Sequence, residues 1–440
     1  MLSRWAHALR AFRLPHDWVV RVLFWVGAIA IGVAGVYFAK GANWAFAFFR
    51  HREADWPLWP LVAPPVGLAL VAWLTRRYFP GSEDSGIPQA IAALSLRDQR
   101  SRDRLLSLRI AIGKFGLTIA GLAAGASVGR EGPTVQIGAS ILHSLGRRLR
   151  FPPVDLDRGL ILAGGAAGIA AAFNTPLAGI VFAIEELHRS FEEETSGTIF
   201  MAVVMAGITS LALVGNYTYF GISTAHLQHW QDWIDVLYAS VLGGLAGGAF
   251  ARSMLWVRFN MPDRMQRFRT ASPVAFAFLC GVCVALVGWM SHGITFGTGY
   301  TEARALVQHD GGIPLWYAPL KFVATLASYA SGIPAGIFAP SLAIGAGVGH
   351  ALALISPANP AALVVLAMAG YFAGVAQAPF TALVIVSEMI GSLEMTLPLL
   401  VASMLGRSAS ALICRQSLYR TLATAFLPKT HPPEPTNVSG

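Results

Sequence analysis

The stretch Gly129-Arg-Glu-Gly-Pro133-Thr-Val-Gln-Ile-Gly-Ala139 returns later in the chain as Gly336-Ile-Phe-Ala-Pro340-Ser-Leu-Ala-Ile-Gly-Ala346. Equivalent positions lie 207 residues apart, since 340 minus 133 and 345 minus 138 agree. A second pair, Pro176-Leu-Ala-Gly-Ile-Val-Phe-Ala-Ile-Glu185 and Pro379-Phe-Thr-Ala-Leu-Val-Ile-Val-Ser-Glu388, is offset by 203 (379 minus 176, 388 minus 185). Two similar elements in the same order, at nearly the same offset, indicate an internal duplication. Within the first pair, Gly stands where the chain must bend sharply and Pro suits a first helical turn. Ser85-Gly86-Ile87-Pro88 has the same construction. A helix that starts inside an apolar segment leaves roughly four backbone N–H groups unpaired and carries about half a positive charge. Three such starts brought together form an anion site of low formal charge, which suits an ion that must both bind and leave.

The surroundings of these starts are apolar. Of 440 residues, 55% are hydrophobic and 12% charged, with a mean hydropathy of +0.56, whereas soluble domains carry about one-quarter charged residues. Stretches near the roughly 20 residues that span a bilayer recur, as at Val22 to Ala39, Ile199 to Val214, Trp233 to Val257 and Val274 to Met290. Others are shorter or broken by Gly and Pro, and such backbone is tolerated at membrane depth only inside protein or beside a water-filled cavity. The expected fold is an all-α polytopic membrane protein, an inverted-topology repeat of two halves with many tilted, partly re-entrant helices. Such proteins place their site at the midplane, where broken helices of the halves meet. The expected divisions are a cytoplasmic amphipathic segment over 1–12, membrane repeats over 13–220 and 231–426, and a polar tail over 427–440.

The net charge of +9 is carried by short segments between apolar spans. Arg4, Arg10, Arg13 and Arg21 form one group, Arg97 to Arg109 a second, Arg147 to Arg150 a third and Arg258 to Arg269 a fourth. Positive-inside reasoning puts all four, and the N-terminus, in the cytoplasm and leaves no face for nucleic acid. The first apolar run is too long for a cleavable signal peptide. Cys280 and Cys283 make a CxxC inside an apolar run and are read as small core residues; Cys414 is isolated. Gly121-x3-Gly125 and Gly243-Gly244-x2-Gly247-Gly248 read as close helix contacts. An intramembrane enzyme would have acids in Glu131, Glu185, Glu186 and Glu388, but no HExxH is present, and His143 and His188 lack ligand-spaced companions. Neither a metal nor a catalytic residue is expected.

Ser85-Gly-Ile-Pro88, Gly129-Arg-Glu-Gly-Pro133, Gly336-Ile-Phe-Ala-Pro340 and the late Tyr419 occur in an order and spacing that resemble the CLC chloride channel and transporter family, prokaryotic type without cytoplasmic regulatory domains. The similarity runs from Gly32 to about Leu422. It implies that Ser85 and Tyr419 hydroxyls, with the amides of Ile337 and Phe338, hold a chloride, and that Glu131 is the gate and external proton site. A carboxylate beside converging helix starts is itself an anion suited to that site, so it can compete with the permeant ion and vacate when protonated. The resemblance also implies that a second glutamate, Glu186, transfers protons on the inner side in exchangers. On a helix Glu185 and Glu186 point about 100° apart, so one of the two faces the pathway.

The implied function is chloride/proton antiport, with a passive voltage- or proton-gated chloride channel as the alternative. Its partners would be chloride, protons, the lipid bilayer and a second copy of the chain, each subunit with its own pathway. Chloride would be a bound substrate ion and no cofactor is expected. The implied location is a bacterial cytoplasmic membrane. Three positions depart from the family: Asp84 stands where the family usually has Gly, and Gln89 and Ile91 stand where some bacterial exchangers have acids.

Overall fold

The computed structural model describes residues 16–148, 154–187, 193–215, 217–227, 229–309, 312–356 and 359–428. The amphipathic segment 1–12, the basic residues Arg4, Arg10, Arg13 and Arg150, residues 188–192 with His188 among them, and most of the tail lie outside these. The first half runs α1 (His16–Asp55), α2 (Trp59–Tyr78), α3 (Ile87–Ser95), α4 (Gln99–Asp103), α5 (Leu108–Ala123), α6 (Glu131–Arg148), α7 (Val154–Phe173), α8 (Pro176–Phe182) and α9 (Glu193–Val214). The second runs α10 (Asp232–Phe259), α11 (Asp263–Ala271), α12 (Pro273–Met290), α13 (Tyr300–Val307), α14 (Tyr317–Ala330), α15 (Phe338–Ala353), α16 (Pro360–Ala376), α17 (Pro379–Ile390), α18 (Thr396–Ser410) and α19 (Leu418–Ala423). Among the described residues there is no strand, only isolated bridges pairing Asp84 with Pro334 and Gly129 with Gly336. Those bridges join the two halves at their broken-helix starts.

The protein is integral to a membrane. Helices α1, α10 and α12 are long and apolar enough to cross one, and α1, at 40 residues, extends about 60 Å and outruns the hydrocarbon layer. The short α3, α8, α13 and α17 each begin at a Gly, Pro or polar punctuation and run for 7 to 12 residues, too short to span a bilayer. Helix α16 is buried along its whole length, so it forms the centre of the second half.

Small residues let these helices approach. A β-carbon on Gly244 of α10 would stand 2.5 Å from the Gly406 Cα of α18, so the Gly243 to Gly248 pattern is a helix contact as expected. The Gly121-x3-Gly125 pattern is not. Gly125 has left the helix with φ +82 and faces the Phe49 ring, so it is the turn that releases the chain toward Ser127 and Gly129. Cys280 and Cys283 also depart from expectation: both are half-buried on the flank of α12, and only Cys414 is buried.

The duplication reaches single residues. Asn174 and Gln377, 203 apart (377 minus 174), both take positive φ, +57 and +60, just ahead of Pro176 and Pro379. Gly86 and Gly299, the N-caps of α3 and α13, both take positive φ as well. The same unusual backbone at equivalent places is what one ancestral turn used twice would leave.

Candidate anion site

Helix α6 begins at Glu131 and α15 at Phe338, and both first turns are buried. Gly129 N–H donates to Gly336 O across the bridge, which holds the two starts together. Glu131 is fully buried. Its Oε2 accepts a long hydrogen bond, 3.4 Å, from the Ala339 N–H, and its Oε1 lies 3.5 Å from the Tyr219 hydroxyl. The Arg130 guanidinium, 4.0 Å away, is turned outward and donates to Ala39 O and Asn43 Oδ1. The Glu131 carboxylate therefore rests on the first turn of α15, one residue beyond Phe338.

Ser85 and Tyr419 are both fully buried, and neither hydroxyl has a hydrogen-bond partner among the described residues. An unpaired buried hydroxyl costs about 1–3 kcal/mol; these are two of ten unpartnered buried hydroxyls among the described residues, and an anion beside them would supply the missing partner. The Ser85 backbone touches the α6 start: a β-carbon on Gly132 would lie 2.7 Å from Ser85 O. Helix α19 carries Tyr419 against α3, and Tyr419 is within electrostatic reach of both Glu131 and Glu186. The amides of Ile337 and Phe338 belong to the same helix start that faces Glu131, and the Phe338 ring is wedged between Phe173 and Phe372, with centroids 5.1 and 4.2 Å away. Ser85, Glu131, Ile337, Phe338 and Tyr419 are thus all buried, on or at the starts of α3, α6, α15 and α19, of which α3 contacts α6 and α19, and α6 contacts α15.

Glu185 and Glu186 part company. The backbone over Ala183–Leu187 widens into a π turn. Glu185 caps α17 by accepting from Phe380 N at 3.2 Å and Thr381 N at 2.6 Å. Glu388, its repeat equivalent, caps α8 in return, from Leu177 N at 3.2 Å and Ala178 N at 2.7 Å. Glu186 instead is buried and turned toward α19, where its Oε1 accepts from Ser417 Oγ at 3.0 Å and its carbonyl from Arg420 at 2.9 Å. The acid that faces the Tyr419 helix is therefore Glu186.

Sequence reasoning missed two lysines. Lys114 Nζ donates to the carbonyls of Ser82 (2.8 Å), Glu83 (3.1 Å) and Asp84 (2.7 Å), fixing the loop that presents Ser85. Lys321, 207 residues on (321 minus 114), donates to Thr295 O and Gly297 O ahead of α13. The signal was present as Lys114-Phe115-x2-Thr118 and Lys321-Phe322-x2-Thr325. Tyr219 was missed as well, because it sits in a connector without periodicity. Gln89 has a local reason for not being an acid: its amide accepts from Gly86 N–H and donates to Glu83 O, and a carboxylate cannot donate. His143 is held between the Asp157 and Asp103 carboxylates at 2.8 and 3.1 Å, a companionship its sequence spacing did not reveal.

Two cavities approach this region. One, about 230 Å³, is lined by Lys40, Asn43, Arg130, Tyr217, Tyr219 and Tyr300. The other, about 340 Å³, is lined by Arg76, Glu83, Asp84, Arg258, Arg269 and Tyr329. The first includes Arg130 and Tyr219, neighbours of Glu131, and the second includes Asp84, the residue before Ser85.

The chain matches the sequence profile described as voltage gated chloride channel over residues 67–411. It is 29% identical over 426 residues to the H(+)/Cl(-) exchange transporter ClcA of Cronobacter sakazakii, covering 91% of this chain and 88% of that one. The ClcA of Vibrio cholerae is 28% identical, over 90% of this chain and 87% of its own. A solved slow cyanobacterial Cl-/H+ antiporter superimposes with a TM-score of 0.81 at 27% identity, covering 93% of this chain and 98% of that one. A CLC-type fluoride/proton antiporter shares the fold, with a TM-score of 0.77 at 22% identity over 92% and 97%. Profile and fold agree, and the chain belongs to the voltage gated chloride channel family.

Proposed function

We propose that the protein exchanges chloride for protons across a membrane. The observation that carries this reading is the pair of buried, unpartnered hydroxyls, Ser85 Oγ against the α6 start and Tyr419 Oη on α19, which packs against α3. Together with the Ile337 and Phe338 amides they form a neutral set of donors, able to replace hydration around chloride without trapping it. Glu131 is the gate. Its carboxylate accepts the Ala339 N–H, so carboxylate and ion compete for the same helix start. A protonated Glu131 gives up that claim and withdraws; deprotonation returns it and expels the ion. One proton is thereby tied to the movement of chloride.

Glu186 takes up protons on the face bearing Arg258 and Arg269, and Tyr419, within reach of both acids, separates the proton route from the chloride route past Ser85. That face is cytoplasmic by the positive-inside rule, as is the N-terminus. The membrane repeats occupy 13–220 and 231–426, the location is a bacterial cytoplasmic membrane, and the assembly is a homodimer with one pathway per subunit. The protein acts as a transporter rather than an enzyme, with no cofactor and with chloride as its substrate ion. Relatives named as H(+)/Cl(-) exchange transporters, and the similar structure of a Cl-/H+ antiporter, support exchange over passive conduction. Reconstituted into proteoliposomes under a chloride gradient, the protein is expected to drive protons uphill. Chloride movement without proton movement would make it a passive channel.

A further inference from the structure

We propose that Asp84 is a second, inner gate of the anion path, a carboxylate that contests the passage of chloride between the 340 Å³ cavity and Ser85. The proposal rests on the chloride-transport reading above and adds a residue to it. Three arginines, Arg76, Arg258 and Arg269, line that cavity, and such a concentration of positive charge in a recess draws anions in. Asp84 lines the same cavity and is the residue immediately before Ser85. Its Oδ2 is 3.5 Å from Arg258 Nη1. The other acid of the cavity, Glu83, is engaged by the Gly81 N–H at 2.7 Å. Asp84 is thus the cavity acid that adjoins Ser85, and Arg258 can pair either with it or with an arriving chloride.

Its backbone is fixed. Asp84 N–H donates to Ile333 O at 3.2 Å, and its carbonyl accepts from Ala335 N at 3.0 Å and Lys114 Nζ at 2.7 Å. Only the side chain can move, between Arg258 and the cavity. The conformation is one that glycine favours, with φ +58. The duplication supplies the comparison: α3 and α13 are offset by 213 (300 minus 87), and the residue equivalent to Asp84 is Gly297 (297 minus 84), with φ +68. Where the second half uses a glycine, the first holds an acid in a strained backbone, and strain kept at a pathway is a pointer to function. The two carboxylates then play like parts. Glu131 competes with chloride for amides on one side of the site, and Asp84 competes with it for a guanidinium on the other.

The test is unidirectional uptake of radiolabelled chloride into proteoliposomes, as a function of chloride concentration, by the full-length protein carrying Glu131→Gln, which takes proton coupling out of the measurement. Asp84→Asn removes the charge and keeps the shape; Asp84→Gly removes the side chain and suits the backbone, so neither threatens the fold. Both are expected to lower half-saturating chloride about fivefold, equivalent to about 1 kcal/mol. Arg258→Gln is expected to raise it with Asp84 present and to raise it less in the Asp84→Asn protein, a coupling that a purely structural aspartate would not show. Half-saturation within twofold of the parent in both Asp84 variants overturns the proposal. A shift in Asp84→Gly alone overturns it too, because the effect would then lie in the backbone. No chloride uptake in the parent refutes the transport reading itself, and Asp84 falls with it.

Discussion

Replacing Ser85 by Ala and Tyr419 by Phe removes two oxygen atoms and leaves the surrounding packing in place. A hydrogen bond to a charged partner contributes about 1.5–3 kcal/mol, so two hydroxyls that both donate to chloride contribute about 3 kcal/mol at the low end. That is a loss of roughly a hundredfold in chloride affinity. The ion-free protein is expected to respond in the opposite sense. Both hydroxyls are buried without a partner, so their removal relieves a desolvation cost, and the double variant without chloride is expected to unfold at or above the parent's temperature. Isothermal calorimetry in detergent measures the first quantity. Thermal unfolding with and without chloride measures the second, because an ion that binds only the folded state raises the midpoint in proportion to the logarithm of its concentration over Kd. The chloride-dependent rise is expected to vanish in the double variant. A chloride Kd within threefold of the parent would place the ion elsewhere. An ion-free double variant that unfolds many degrees lower would mean that the hydroxyls serve the fold.

The reciprocal caps give a prediction about the acids that do not carry protons: Glu185→Ala and Glu388→Ala each leave two amides unpaired and are expected to cost about 2–4 kcal/mol of stability, seen as a lower unfolding midpoint, while the proton-to-chloride ratio of the surviving protein stays that of the parent. A changed ratio in Glu185→Ala would move the inner proton site from Glu186 to its neighbour. Lys114→Met is expected to weaken chloride binding at least tenfold, since three carbonyls of the loop before Ser85 lose their shared donor, whereas Lys321→Met lowers the unfolding midpoint with a smaller effect on chloride. Equal chloride affinity in the parent and Lys114→Met, measured by calorimetry, would show that the loop keeps its shape unaided.

The fold was legible because its decisive features are local. Gly and Pro at Gly129 to Pro133 and at Gly336 to Pro340 mark helix starts wherever they occur, and the 207-residue offset shows that they are a pair. Distances across the fold were less accessible. Glu185 and Glu186 are adjacent acids at a helix end, and nothing in their order says that one caps a helix almost 200 residues away while the other turns to α19; the π turn over Ala183–Leu187 sets that division. The lysine clamps were readable in principle, since Lys114 and Lys321 repeat at the same offset as the helix starts. A lone lysine in an apolar run draws attention as a cost, however, and its compensation by main-chain carbonyls is visible only in three dimensions. Cys280 and Cys283 were misplaced because a helix that faces lipid is apolar all round, so composition cannot separate its buried flank from its exposed one.

The central claim is that two separate acids carry one proton against chloride, Glu131 at the ion and Glu186 on the arginine-rich side. Simultaneous chloride and pH recording from proteoliposomes under a chloride gradient, for the parent, Glu131→Gln and Glu186→Gln, tests it directly. The account predicts uphill proton movement in the parent, none in either variant, and chloride flux in all three. Continued uphill proton movement by either variant, or loss of chloride flux in Glu186→Gln while the protein remains folded, would contradict it.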